Sequence, residues 1–316
     1  MSLTRRECLG GLSLGLAAGV LHVSQARSAP AVAVADPKHP FVYCLNTSTI
    51  RGQALGIARE VEIAAAAGYQ AIEPWMRDLD KYVGDGGSLR DLGKRIADAG
   101  LSVESAIGFA QWIVDDPDLR KAGLEQAKRD MDTLLQIGGK RIAAPPIGAH
   151  DKPGPDVLTA AARYRALLEL GASLGIVPQV EVWGFSQTLS RLGETVCVAV
   201  ESQHPQACVL PDVYHLHRGG SGFHGLKLLA GQAVHVFHMN DYPAEPAHDK
   251  LSDADRVYPG DGAAPLTSIL QDLYANGFRG VLSLELFNRD YWKQDPLAVA
   301  RTGLEKMRAA VEKSRS

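Results

Sequence analysis

The stretch "FVYCLNTSTIRGQ", residues 41–53, decides the fold class. Its first six residues read as a buried strand, and the seven after them separate the two common parallel α/β architectures. A doubly wound sheet normally carries a glycine-rich phosphate loop directly after its first strand. Here the strand runs into "NTSTIRGQ", which lacks that fingerprint. Outward from this point, further strand candidates fall at 70–73, 101–107, 140–144, 176–183, 206–212, 233–239 and 280–286. Helical patterns fill the gaps at 54–67, 88–99, 119–137, 155–174, 189–202, 223–230 and 265–276, with 295–313 last. Their apolar residues recur every three or four positions, as one buried helix face requires. Gly68 and Gly175 stand where C-terminal helix caps belong. Eight strands alternating with eight helices over about 270 residues is the count of an α/β (β/α)8 TIM barrel. One catalytic domain over residues 36–316 is therefore expected.

Residues 1–35 differ from the rest. Arg5 and Arg6 precede an apolar, glycine-rich stretch, and small-residue steps such as Ala33-Val34-Ala35 come after it. This is the layout of a twin-arginine-type signal peptide, and it predicts periplasmic localisation after export in the folded state. The apolar run is too short and too glycine-rich for a good membrane span. Beyond it remain Cys44, Cys197 and Cys208, all in apolar runs, and three cysteines make no complete disulfide framework. They read as small core residues. A net charge of -3 gives no basic surface for nucleic acid, so a small-molecule substrate is the expectation.

In such a barrel, polar residues at the C-terminal strand ends point into a shared mouth. Four consecutive strand ends supply candidate metal ligands: Glu181 in "QVEVWG", Asp212 in "VLPDVYH", His238 in "VFHMND" and Glu285 in "LSLELF". Three carboxylates and an imidazole suit one divalent ion such as Mn²⁺, Mg²⁺, Co²⁺ or Zn²⁺. Unpartnered, the same charges would be costly to bury.

The motifs "DVYHLHRGGS", "VFHMNDYP", "LSDADRVYPGDGAAPL" and "GFRGVLSLELFNRDYW" resemble the xylose isomerase-like sugar isomerases and epimerases, most closely the inosose (2-keto-myo-inositol) isomerases. The resemblance runs from about residue 41 to 313. It implies that Glu181, Asp212, His238 and Glu285 hold the metal, that His215 contacts the sugar oxygens, and that Arg256 reaches a substrate hydroxyl. It further implies a polyhydroxy ketone substrate polarised by the cation. Glu181 and Glu285 would then remove and return the proton α to the carbonyl through an enediolate. A lyase or hydratase acting on 3-keto-glycosides or 3-keto-sugars would need the same groups. An apurinic-type endonuclease shares the barrel but is disfavoured by the charge and by the absence of extra metal-binding histidines.

Further candidates for substrate contact are Glu73, Asn46, His150, Trp183 and Trp112. The alternatives are a basic partner for Glu73, an Asx turn for Asn46, a solvated loop for His150 and core packing for both tryptophans. His217 is expected to point away from Asp212, and Arg218 to anchor a loop carboxylate such as Asp241.

Overall fold

A computed structural model of the protein describes residues 41–316. The expected signal peptide, and the chain from its end to residue 40, lie outside the described residues. The eight expected strands are all present: β1 (Val42–Asn46), β2 (Ala71–Glu73), β3 (Ser102–Val103), β4 (Arg141–Ala144), β5 (Val177–Glu181), β6 (Val209–Leu210), β7 (Val236–Met239) and β8 (Val281–Leu284). All pair in parallel, in the orders β3-β2-β1-β8-β7 and β4-β5-β6. Isolated backbone hydrogen bonds close the two seams, with Ala106 N also donating to Arg141 O at 3.1 Å between β3 and β4. Ala143 N donates to Ala106 O (2.9 Å) between β3 and β4, and His238 N donates to Pro211 O (3.0 Å) between β6 and β7. The strands thus complete a TIM barrel.

The helices are α1 (Ile57–Ala67), α2 (Met76–Gly84), α3 (Leu89–Asp98), α4 (Pro117–Gln136), α5 (Val157–Leu174), α6 (Leu192–Glu201), α7 (Val213–Arg218), α8 (Leu266–Ala275) and α9 (Pro296–Ser314). No described helix is long and apolar enough to cross a membrane. Two elements differ from those expected. The nine-residue α2 was not expected, since its short apolar stripe is interrupted by four charges. The helix expected at 223–230 is a 3-10 turn over His224–Leu228. The helix of that unit instead starts immediately after β6, because the Asp212 side chain caps it by accepting from His215 N at 2.8 Å.

Strand periodicity positions the site. A small apolar cluster includes Cys44, Ala71, Leu210, Val236 and Val281, each at an alternate position of its strand. Two residues further along the same faces stand Asn46, Glu73, Asp212, His238 and Ser283, and one step beyond Ser283 comes Glu285. A larger cluster packs the outer strand faces against the helices. Of the three cysteines, Cys44 and Cys208 are buried and Cys197 half-buried, all as free thiols.

Glu60 departs from this pattern of partnered polar groups. It is buried on α1, its Oε2 has no partner, and burial together with the nearby Asp78 pushes its carboxyl up to about 8. A folded-state value above the unfolded one means stability is fully present below the unfolded value and lost as pH rises toward 8. Glu60→Gln should therefore remove a fall of about 1.4 kcal/mol per pH unit between pH 5 and 8. Urea unfolding across that range checks this, and parallel wild-type and variant profiles would refute it.

Candidate metal centre

At the C-terminal end of the barrel, His238 stands at the middle of a buried carboxylate cluster. Its Nε2 lies 3.1 Å from Glu73 Oε2, while Nδ1 faces Glu285 Oε2 at 3.3 Å and Asp212 Oδ2 at 3.7 Å. Nδ1 has no aligned hydrogen-bond partner. One ligand atom each from Asp212, His238 and Glu285 lies within 4.8 Å of the others, a spacing that suits a shared cation. The orphaned ring nitrogen fits the same purpose. Burial opposes charge on His238, but Glu285 and Glu73 outweigh it and hold the imidazole well above its usual range. A cation at Nδ1 would take the place of that proton.

Glu181 stands apart from the three-residue group. It is buried, its Oε2 has no partner, and its carboxyl is pushed up to about 8 by burial, with Glu285 and Asp212 adding repulsion and His238 opposing. Glu285 has the opposite balance: burial is outweighed by His238 and Arg256, which lower it. Two carboxyls of one mouth are thus driven in opposite directions.

Arg256 is fully buried and already engaged. Its Nη1 donates to Asp212 Oδ2 (2.8 Å) and Glu285 Oε2 (2.9 Å), and Nη2 donates to Asp253 Oδ1 (2.8 Å). Protein carboxylates thus occupy the fork of the guanidinium that the resemblance assigns to a substrate hydroxyl. The loop carrying it is organised by Asp241, whose carboxylate accepts from Gly260 N, Gly262 N and Ala264 N. Arg218 does not reach Asp241; its Nε donates to Leu251 O at 3.0 Å. His217 lies away from the cluster, stacked on Tyr242 at 3.6 Å.

The remaining candidates divide. Glu73 is a support for His238, its Oε2 also accepting from Asn46 Nδ2 (2.9 Å) and Ser283 Oγ (2.6 Å). Its other oxygen, Oε1, is buried and has no partner. Asn46 also donates to Glu285 Oε1 (3.1 Å), while its Oδ1 accepts from Ser48 N and Trp75 Nε1, so the Asx turn is present as well. His215 is buried beside Arg256 Nη2, 3.2 Å from its Nε2, and burial followed by Arg256 keeps the ring well below its usual range. Trp183 meets His150, His215 and Phe185 at the rim. Trp112 is a core residue: it is 1% exposed, packs on Tyr164 and donates to Pro145 O. Its position after a strand does not bring it to the mouth.

Several site residues carry no obvious mark in the sequence. Asn240 donates to Asp212 Oδ2 (3.0 Å), and Ser283 holds Glu73. Both sit two residues from a ligand on the same strand face, so strict alternation would have found them. An aromatic rim of Phe287, Trp75, Phe109 and Trp183 joins neighbouring loops.

Comparison with known proteins agrees with this architecture. Residues 61–310 match the family model described as xylose isomerase-like TIM barrel. The chain belongs to that family. It is 26% identical to an inosose isomerase of Bacillus velezensis, over 85% of this chain and 97% of that protein. It is 27% identical to a 3-dehydroshikimate dehydratase of Pseudomonas aeruginosa, over 82% of this chain but only 40% of that longer protein. A crystal structure of IolI protein with a binding zinc atom superposes with a TM-score of 0.81 at 22% identity, covering 87% of this chain and 99% of the other.

Removing the arginine tests the charge balance. In chelator-treated protein, Arg256→Met should cost about 3–5 kcal/mol, because two buried carboxylates lose their partner. Urea unfolding measures it, and a loss below about 1 kcal/mol, the value of an exposed pair, would contradict the account.

Proposed function

We propose that this protein is a divalent-metal-dependent isomerase or epimerase of a keto-sugar or keto-cyclitol of the inosose type. The observation that carries the reading is the buried Asp212-His238-Glu285 group with Glu181 beside it at the barrel mouth. Asp212, His238 Nδ1 and Glu285 would hold the cation, with Glu181 as the fourth ligand of the set. When bound, the cation supplies Lewis-acid polarisation of a substrate carbonyl and lowers the cost of taking a proton from the adjacent carbon.

The chain's own residues would then move that proton. In the cation-free chain Glu181 is biased toward the neutral carboxylic acid and Glu285 toward the carboxylate. Of these two carboxyl groups, one would remove the proton and the other return it, as a 1,2 proton shift requires. Glu73 and Asn46 hold His238 and Glu285 in place, fixing the reacting geometry. Trp183, with His150 against its ring, offers an apolar wall and a polar edge to a polyhydroxy ring. The similarity to an inosose isomerase over nearly its whole length supports this substrate class.

A second reading is favoured by the dehydratase relatives. After the same proton removal, loss of a β-substituent instead of reprotonation would make the protein a lyase or hydratase of 3-keto-sugars or 3-keto-glycosides.

NMR in D₂O with metal-loaded protein separates the two. Solvent deuterium entering at the α carbon of an inosose or 3-keto-glucose, with the skeleton intact, is the expected result. Release of water or an aglycone would select the lyase, and no exchange with inososes, 3-keto-glucose or 3-keto-glycosides would refute both readings. Glu285→Gln should slow turnover about 10²–10⁴-fold.

A further inference from the structure

Arg51 is a cation at the barrel mouth with no acidic partner among the described residues. It lies in the 3-10 helix that continues from β1, and its guanidinium carbon is 4.5 Å from the Trp75 ring centroid, 5.1 Å from Phe287 and 5.6 Å from Trp292. Its Nη1 is buried and donates to nothing. Burying donors of a guanidinium ordinarily requires an acceptor, and aromatic faces supply none in the plane of the fork.

The cage is firmly built. Thr49 Oγ1 donates to Leu284 O (2.8 Å) and accepts from Leu286 N (3.2 Å), tying the β1 loop to the β8 loop. Trp292 Nε1 donates to Ser48 O (3.0 Å), and Trp75 Nε1 donates to Asn46 Oδ1 (2.9 Å). A Cβ at residue 52 would stand 2.2 Å from Trp292 Cγ, so glycine is what lets that ring close on the loop. The same Phe287 ring has the Arg256 guanidinium 4.9 Å from its centroid, so Arg51 is separated from Arg256 by no more than the sum of their distances to that ring. Arg256 in turn touches Asp212 and Glu285. Arg51 therefore stands on the same rim as the carboxylate cluster, with the Phe287 ring against both guanidinium groups.

We propose that Arg51 is a specificity-determining residue that receives a carboxylate carried on the ring of the substrate. A planar fork with two adjacent donors matches a carboxylate. The inference deepens the substrate class and rests on the reading of the mouth as a site for polyhydroxy rings.

The test uses unreactive rings, so it does not depend on turnover. Calorimetric titration of the metal-loaded protein with D-glucuronate and with D-glucose should show about tenfold or greater preference for the uronate, as a charge-assisted contact gives. Arg51→Met should abolish that preference, and Arg51→Lys should retain part of it. The ratio of the two affinities is the readout, because a variant that merely loosens the rim weakens both sugars together. Should Arg51→Met not fold, Arg51→Gln carries the same expectation. No preference for the uronate in the wild type, including no measurable uronate binding, overturns the proposal, as does a ratio unchanged in the uncharged variant. Failure of α-proton exchange in D₂O strikes the isomerase reading alone, whereas loss of the uronate preference strikes only the role of Arg51.

Discussion

The structure of the barrel mouth depends on one constraint: carboxylates cannot be buried together without positive charge among them. Glu73, Glu181, Asp212 and Glu285 are all at most 3% exposed, and they share His238 and Arg256. Each positive group serves more than one acid. His238 lies between Glu73 on one ring edge and Glu285 and Asp212 on the other. Arg256 bridges Asp212 and Glu285 through a single nitrogen. Glu181 receives the least compensation, and burial leaves it biased toward the neutral acid. The uneven distribution of charge turns four similar side chains into groups of different chemical character.

The same constraint couples local structure to the site. Asp212 uses Oδ1 to cap α7 and Oδ2 to meet Arg256 and Asn240, so the start of a helix and the placement of a candidate ligand are set by one side chain. Arg256 arrives on a long loop, which by itself would be a poor scaffold for a buried charge. Asp241 supplies the missing rigidity by collecting backbone N–H groups from Gly260, Gly262 and Ala264. The "PGDGAAP" segment is thereby folded around a carboxylate, and Gly262 leaves room for it, since a Cβ there would lie 2.4 Å from Asp241 Oδ1.

Much of this was legible in the sequence. The strand ends with Asp212, His238 and Glu285 stood out because a charged group inside an apolar run needs a reason, and period-two alternation turns all of them inward. The barrel itself emerged from the count of alternating runs. What the chain did not disclose depends on distances between segments far apart in sequence. Nothing near Glu73 says that its partner is His238, 165 residues away. Trp112 and Trp183 occupy similar places after their strands, yet one packs in the core and the other on the rim. The early start of α7 is hidden in the sequence because Asp212 carries both a ligand's charge and a cap's geometry. Arg51 carries no mark in an ordinary polar loop, since the rings that enclose it come from two distant segments, after β2 and after β8.

Asp212, His238 and Glu285 are placed to share one divalent cation. Equilibrium titration of chelator-stripped protein with Zn²⁺ and Mn²⁺, with elemental analysis after gel filtration, tests this most directly. The wild type should hold one bound cation per chain, with affinity reduced by on the order of tenfold or more in Asp212→Asn and in His238→Gln, since each removes a ligand. A wild-type chain that retains no cation, or variants that bind as tightly as the wild type, would contradict this.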